Sequence, residues 1–135
     1  MDTNTQEIQK KVLIADDDYD LLEKMKIELQ SMGFSVVDVQ SQADAEAQLE
    51  HFKPDLAIFD LMMENQDSGF ILSYKAKKKY PDVPVMLVTG VTKETGMHFD
   101  TSTEEMQEWL KADVVLNKDV RLEQLKAEID QLLKD

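Results

Sequence analysis

The sequence predicts an α/β fold, a five-stranded doubly wound parallel sheet in the order 2-1-3-4-5 with helices on both faces. Three observations carry that expectation. Short apolar runs bounded by polar residues recur along the chain without the alternation of a half-exposed strand, as expected for strands buried on both faces. Segments with helical spacing separate them. Strand and helix alternate five times, with connections too short for anything but right-handed crossovers.

Taken in order, the first strand is Val12-Leu13-Ile14-Ala15. The first helix follows, with Leu21, Met25, Leu29 and Met32 spaced along one face and Gly33 placed to end it. Phe34 to Val39 is the second strand, more alternating and therefore nearer a sheet edge. The second helix runs from about Ser41 to Phe52, where Ser41 and Asp44 have capping-box spacing and Pro54 stands just beyond. Leu56 to Phe59 forms the third strand. The third helix begins near Ser68 and ends in Lys75, Lys77, Lys78 and Lys79, positive charge that suits a helix C-terminus and a solvated face. Val85 to Val88 is the fourth strand, a fourth helix opens at Ser102 with Glu105 three residues on, and Val114 to Leu116 is the fifth strand. The last helix spans about Val120 to Leu133, with Leu122, Leu125, Ile129 and Leu132 inward. Two segments fall outside the pattern, a polar extension over residues 1–10 and a long connection, Gly90 to Thr101. The remainder, residues 11–135, reads as one domain.

Length and composition narrow the function. At 135 residues the chain has the size of one ordinary domain. Lys and Arg number 15 against 28 Asp and Glu, a net charge of −13 that argues against nucleic-acid and membrane-surface partners. The absence of Cys excludes disulfides, thiol nucleophiles and Cys-ligated zinc, and agrees with a reducing compartment. Met1 to Lys11 lacks the apolar stretch of a signal peptide, and no later run approaches the roughly 18 apolar residues of a membrane span. A cytoplasmic location is the expectation.

In an open α/β sheet the ligand crevice lies beyond the carboxyl ends of the strands, where strand order reverses. Following the apolar runs at that end are Asp16-Asp17-Asp18, Asp60, Thr89-Gly90 and Asn117-Lys118. With the first and third strands as neighbours, Asp16, Asp17 and Asp60 converge. Carboxylates crowded in a crevice repel one another unless a cation sits among them. Magnesium is the best match, because it takes one or two carboxylates, keeps several waters and leaves positions for phosphoryl oxygens. Asp60 then has the chemistry of a carboxylate nucleophile toward phosphorus, Thr89 that of a hydrogen-bond donor and Lys118 that of a charge partner to the transferred group.

These residues resemble the receiver domains of two-component response regulators, of which CheY-like single-domain proteins with their flavodoxin-like sheet are the smallest. The likeness covers about Lys11 to Leu133. It rests on VLIADDD (Val12 to Asp18), PDLAIFDLMM (Pro54 to Met63) with DSGF (Asp67 to Phe70), PVMLVTG (Pro84 to Gly90) and the lysine of VVLNK (Val114 to Lys118). The resemblance implies that Asp60 is the phosphoacceptor, that Asp17 ligates magnesium directly and Asp16 largely through water, and that the Met62 carbonyl is a backbone ligand. It implies that Thr89 and Lys118 contact the phosphoryl group and report it to the face built from the fourth helix, fifth strand and fifth helix. A histidine kinase or phosphotransfer protein would be the donor, and an unknown downstream protein the partner at that face. No enzyme activity is expected beyond self-catalysed phosphotransfer and dephosphorylation. Asp18 reads as the cap of the first helix rather than as a ligand.

The sequence departs from the family pattern at several points. Glu64 stands where proline is usual, in a loop one residue longer before Gly69. Asp119 replaces the proline that usually follows the lysine through a cis bond; a cis bond before another residue type costs roughly 2.5–4 kcal/mol. A trans bond there would alter the placement of Lys118, with Asp119 as a helix cap or its ion-pair partner. Val115 occupies the position of the aromatic switch and has no ring to swing, so any switch is assigned to the long Gly90 to Thr101 loop and, through it, to Trp109. These departures favour an alternative, a receiver-like docking module that no longer cycles phosphate. A small aspartyl-phosphate hydrolase is a third reading, short of material for a substrate-binding cap. Flavin binding fails because Asp16-Asp17-Asp18 would repel a phosphate. His51 and His98 read as helix-end and loop residues, and the eight Met mostly as packing.

Overall fold

The computed structural model describes residues 10–61, 63, 65, 68–89, 113–118 and 120–133. Outside them lie the extension, the Met62 carbonyl, Glu64, Asp67, the Gly90 to Thr101 connection with His98, the helix expected from Ser102 with Trp109, and Asp119. Five strands form one parallel sheet: β1 (Lys11–Ala15), β2 (Ser35–Val39), β3 (Leu56–Asp60), β4 (Val85–Thr89) and β5 (Val114–Asn117). Their spatial order is β2-β1-β3-β4-β5, the predicted order, with strand order reversing between β1 and β3. The described helices are α1 (Tyr19–Ser31), α2 (Gln42–His51), α3 (Ser68–Lys79) and α4 (Leu122–Leu133), the last being the fifth helix expected from the sequence.

Successive strand residues point to opposite faces, and the core accordingly divides in two. Leu13, Ala15, Ala57, Phe59, Val85 and Leu87 face Ala45 and Leu49 of α2 and Leu72 and Ala76 of α3. Val12, Ile14, Leu56, Ile58, Met86 and Val88 face Leu22, Met25 and Leu29 of α1 and Leu125 and Ile129 of α4. The central strands β3 and β4 are buried along their whole length, whereas the edge strands β2 and β5 are half-buried, in keeping with the more alternating sequence of the former.

Helix ends follow the side-chain signals. The Asp18 carboxylate accepts from the Leu21 N–H at 3.2 Å and the Ser41 hydroxyl from the Asp44 N–H at 3.0 Å, so both are N-caps. Asp18→Ala should lower stability by about 1 kcal/mol, read as a reduced urea midpoint at unchanged slope. Gly33 ends α1 at φ 99°, a conformation that a side chain would strain.

Two expected core faces are corrected in part. Leu22, absent from the expected stripe, is buried with Met25 and Leu29 on α1, while Leu21 and Met32 pack partly buried against the same cluster. Leu122, expected inward, is 42% exposed, whereas Leu125 and Ile129 of the same helix are buried in the core. The lysines of α3 do more than complement its dipole. Lys75 pairs with Glu46 at 3.1 Å, Lys79 with Glu50 at 3.7 Å and Lys77 with Asp113 at 2.7 Å, tying α3 to α2 and to the start of β5.

Candidate functional site

Parallel register brings together residues far apart in sequence. Ala15 pairs with Phe59 and Asp60 with Val88, so Asp16 leaves β1 beside Asp60 at the carboxyl end of β3. Thr89 pairs with Asn117, which places Lys118 just beyond the end of β4. Lys118 donates its backbone N–H to the Thr89 carbonyl at 2.9 Å, and Leu61 donates to the Val88 carbonyl at 2.9 Å. Asp16, Asp60 and Thr89 are buried, while Asp17 is exposed at the rim. One carboxylate oxygen from each of Asp16, Asp17 and Asp60 lies within 4.8 Å of the others. The predicted acidic cluster is therefore assembled.

Its internal counterion is Lys118. The ammonium lies 3.2 Å from Asp60 Oδ2 and 3.5 Å from Asp16 Oδ1. Asp16 Oδ1 also accepts the Asp18 N–H at 2.8 Å, whereas Asp16 Oδ2 is buried with no hydrogen-bond partner among the described residues. Burial pushes the Asp16 carboxyl above its ordinary range; the Asp18 N–H and Lys118 oppose that shift without cancelling it. Burial also works against the Lys118 ammonium, but the charges of Asp60 and Asp16 outweigh it and raise its pKa.

These directions fix a pH dependence. A carboxyl whose folded pKa is raised holds its proton more tightly when folded, so it withdraws stability as pH climbs from the ordinary value of 3.8 through its folded value. Lys118 contributes the opposite sign, with stability present below the ordinary 10.5 and lost only as pH passes its raised folded value. In chelator, Asp16→Asn should therefore gain on the parent as pH rises from the ordinary carboxyl value through the Asp16 titration, and gain no more once that titration is complete. Thermal melts of both proteins across pH check this.

The sequence picked out Asp16, Asp17, Asp60, Thr89 and Lys118 because they follow buried strands, but it missed what holds the acceptor strand in place. The first turn of α3 rests directly on the backbone leaving β3. Gly69 donates its N–H to the Leu61 carbonyl at 2.8 Å, and a Cβ built on Gly69 would lie 2.6 Å from Leu61 Cα and 2.7 Å from the Asp60 carbonyl oxygen. Buried Ser68 accepts from the Asn65 N–H at 3.2 Å and returns its own N–H to the Asn65 carbonyl at 3.3 Å. The available signal was a lone glycine between the acceptor and an apolar helix. At the opposite end of the sheet, Asp113 accepts from the Val85 N–H at 2.7 Å, a cap signalled only by an Asp just before an apolar run.

His51 is exposed at the end of α2. Among the described residues no helix is long and apolar enough to cross a membrane.

The donor set suits a small hard cation. Three carboxylate oxygens converge and one buried oxygen lacks a donor, which a metal-bound water or the metal itself would satisfy.

Comparison with known proteins agrees with this geometry. The family model described as the response regulator receiver domain matches residues 12–130. The transcriptional regulatory protein GlrR of Escherichia coli is 38% identical over 79 residues, which are 58% of this chain and 18% of GlrR, so the chain spans less than a fifth of that relative. A CheY-like receiver domain protein from Methanospirillum hungatei superposes with a TM-score of 0.79 at 25% identity, over 93% of this chain and 94% of that one. TrrA of Thermotoga maritima, solved in complex with magnesium and beryllium fluoride, has a TM-score of 0.75 at 22% identity, over 93% of this chain and all of its own; at that identity it speaks for the fold alone. Receiver domains are signalling modules rather than conventional enzymes. A strand order that reverses above an acidic cluster, and a family match running almost from end to end, have one explanation: the chain belongs to the receiver-domain family of response regulators.

Proposed function

We propose that this chain is a phosphoacceptor, taking a phosphoryl group from a histidine kinase or phosphotransfer protein onto Asp60 and changing its partner binding as a result. The observation that carries the proposal is the pairing of Asp60 with a lysine ammonium, at 3.2 Å, beside the donor-less buried oxygen of Asp16. In the transfer, an Asp60 carboxylate oxygen attacks phosphorus and forms an O–P bond. The P–N bond of the phosphohistidine breaks, and its electron pair stays on the imidazole nitrogen, which takes up a proton from water. Lys118 turns from the carboxylate toward the phosphoryl oxygens, and the Thr89 hydroxyl donates to them. Asp16, Asp17 and Asp60, with the Met62 carbonyl as the backbone ligand that the family resemblance implies, would hold magnesium, which when bound would neutralise charge on the transferred group. Hydrolysis of the acyl phosphate returns the carboxylate, so turnover needs no residue from another enzyme. The setting is cytoplasmic, where kinases of this class hold their phosphohistidine.

The downstream contact belongs to the face of the fourth and fifth expected helices and β5. Val115 packs with the core on the α2–α3 side and carries no ring, so the response travels through Thr89 and the connection that follows it. A small-substrate hydrolase is less well supported. A groove of about 670 Å³ between α2 and α3 is lined by Ala43, Glu46, Leu49, Lys75 and their neighbours, with no residue of the acidic cluster among them.

Incubation with acetyl phosphate and magnesium should add one phosphoryl group, labile to hydroxylamine, that mass spectrometry maps to the peptide carrying Asp60. Absence of any adduct, or a stable adduct on His51 or His98, would replace this reading with the docking module. Calorimetry should show magnesium binding that Asp17→Ala removes, because Asp17 is the exposed carboxylate through which an ion enters.

A further inference from the structure

We infer that Gly69 is a positioning residue for the acceptor, the point at which α3 sets the height of the β3 carboxyl end. The inference rests on the phosphoacceptor reading and deepens it. The hydrogen bonds described on this stretch tolerate some drift, such as the Leu61 N–H to the Val88 carbonyl at 2.9 Å. The contact at Gly69 does not, because the atoms it faces are backbone: Leu61 Cα at 2.6 Å, the Asp60 carbonyl oxygen at 2.7 Å and the Leu61 carbonyl oxygen at 3.0 Å from where a Cβ would stand. No rotamer change can clear that space. A methyl group must push α3 away from β3 or shift the Asp60–Leu61 peptide, and that peptide carries the acceptor side chain.

The second choice is the easier one for the fold. Leu72 and Ala76 anchor α3 in the core, fully buried against Phe59 and Leu87, so lifting the helix opens a packed interface. The peptide after Asp60 is itself held, by the Leu61 N–H to the Val88 carbonyl at 2.9 Å and by the buried Leu61 side chain, but shifting it displaces one strand-end residue rather than a whole helix. A small shift there moves the carboxylate relative to Lys118 and Asp16, whose positions are set by other strands. Alanine is also the better helix former, so helix propensity alone would make the substitution stabilising. Any loss must come from the close approach.

The test compares Gly69→Ala with Ala76→Gly, a buried change two turns further along α3 that weakens the same helix without touching the backbone of β3. For both variants and the parent, the rate of acetyl phosphate labelling and the magnesium affinity are measured at a temperature where urea melts show full folding. Gly69→Ala should label at least tenfold more slowly at saturating donor, with weaker magnesium binding, while Ala76→Gly stays within twofold of the parent. Adding Leu61→Ala should not restore Gly69→Ala, because the obstruction is main chain; restoration would overturn the inference, as would equal labelling of the two single variants. Should Gly69→Ala be only partly folded, the same comparison is made at lower temperature with labelling expressed per folded molecule. A parent that neither labels nor binds magnesium would fail the phosphoacceptor reading itself and leave Gly69 nothing to position, an outcome distinct from a labelled parent with an unaffected variant.

Discussion

Asp60→Asn should abolish phosphoryl uptake while leaving the domain folded. The amide that replaces the carboxylate has no anionic oxygen to attack phosphorus, so labelling by acetyl phosphate should fall to background, a larger loss than any other single change at this site. Substitution by the neighbouring acids is not expected. Asp16 is buried, with its Oδ1 already accepting from Asp18 and Lys118, and Asp17 faces solvent at the rim, without the lysine contact that Asp60 has among the ion pairs described. The fold should survive, because an amide oxygen can still accept from Lys118 and one of two crowded negative charges is gone. Intact-mass measurement with a circular dichroism melt on the same sample checks both halves. Labelling retained in Asp60→Asn would place the acceptor elsewhere.

The second large effect is on stability. Lys118→Ala removes the ammonium that lies 3.5 Å from Asp16 and 3.2 Å from Asp60 and leaves two buried carboxylates without their internal cation. Breaking a fully buried ion pair costs roughly 3–5 kcal/mol; with the lysine side chain 26% exposed, about 2 kcal/mol is expected in chelator at neutral pH. Binding of a ligand to the folded state alone adds stability in proportion to the logarithm of its saturation. Millimolar magnesium should accordingly restore Lys118→Ala more than it stabilises the parent, since the cation enters a site with no competing ammonium. Urea titrations of both proteins with and without magnesium decide this. Equal stability in chelator would mean that Lys118 is solvated and only incidentally close to the acids.

The sequence carried the architecture because its signals were local and repeated. Short apolar runs such as Val85 to Val88 can be buried on both faces only in a covered parallel sheet, and polar residues placed just after them must gather at one end. That logic reaches Asp16, Asp60, Thr89 and Lys118. It failed where position depends on helix phase or on distances between elements. Leu21 and Leu22 are both apolar, yet Leu22 is buried and Leu21 only partly so. Leu122 continues the apolar stripe of α4, yet it is 42% exposed while Leu125 and Ile129 are buried. The unpartnered Asp16 oxygen and the backbone contact at Gly69 come from the spacing of three strands and a helix, which no residue pattern encodes.

The internal counterion also bears on what the last strand contributes. The three carboxylates lie within the first 60 residues, on strands that pair with one another, whereas the ammonium that balances them follows the last strand. A single domain of this size folds as a unit. The last strand therefore closes the charge balance as well as the sheet: a chain truncated before residue 118 would keep both carboxylate-bearing strands and lose the ammonium between them.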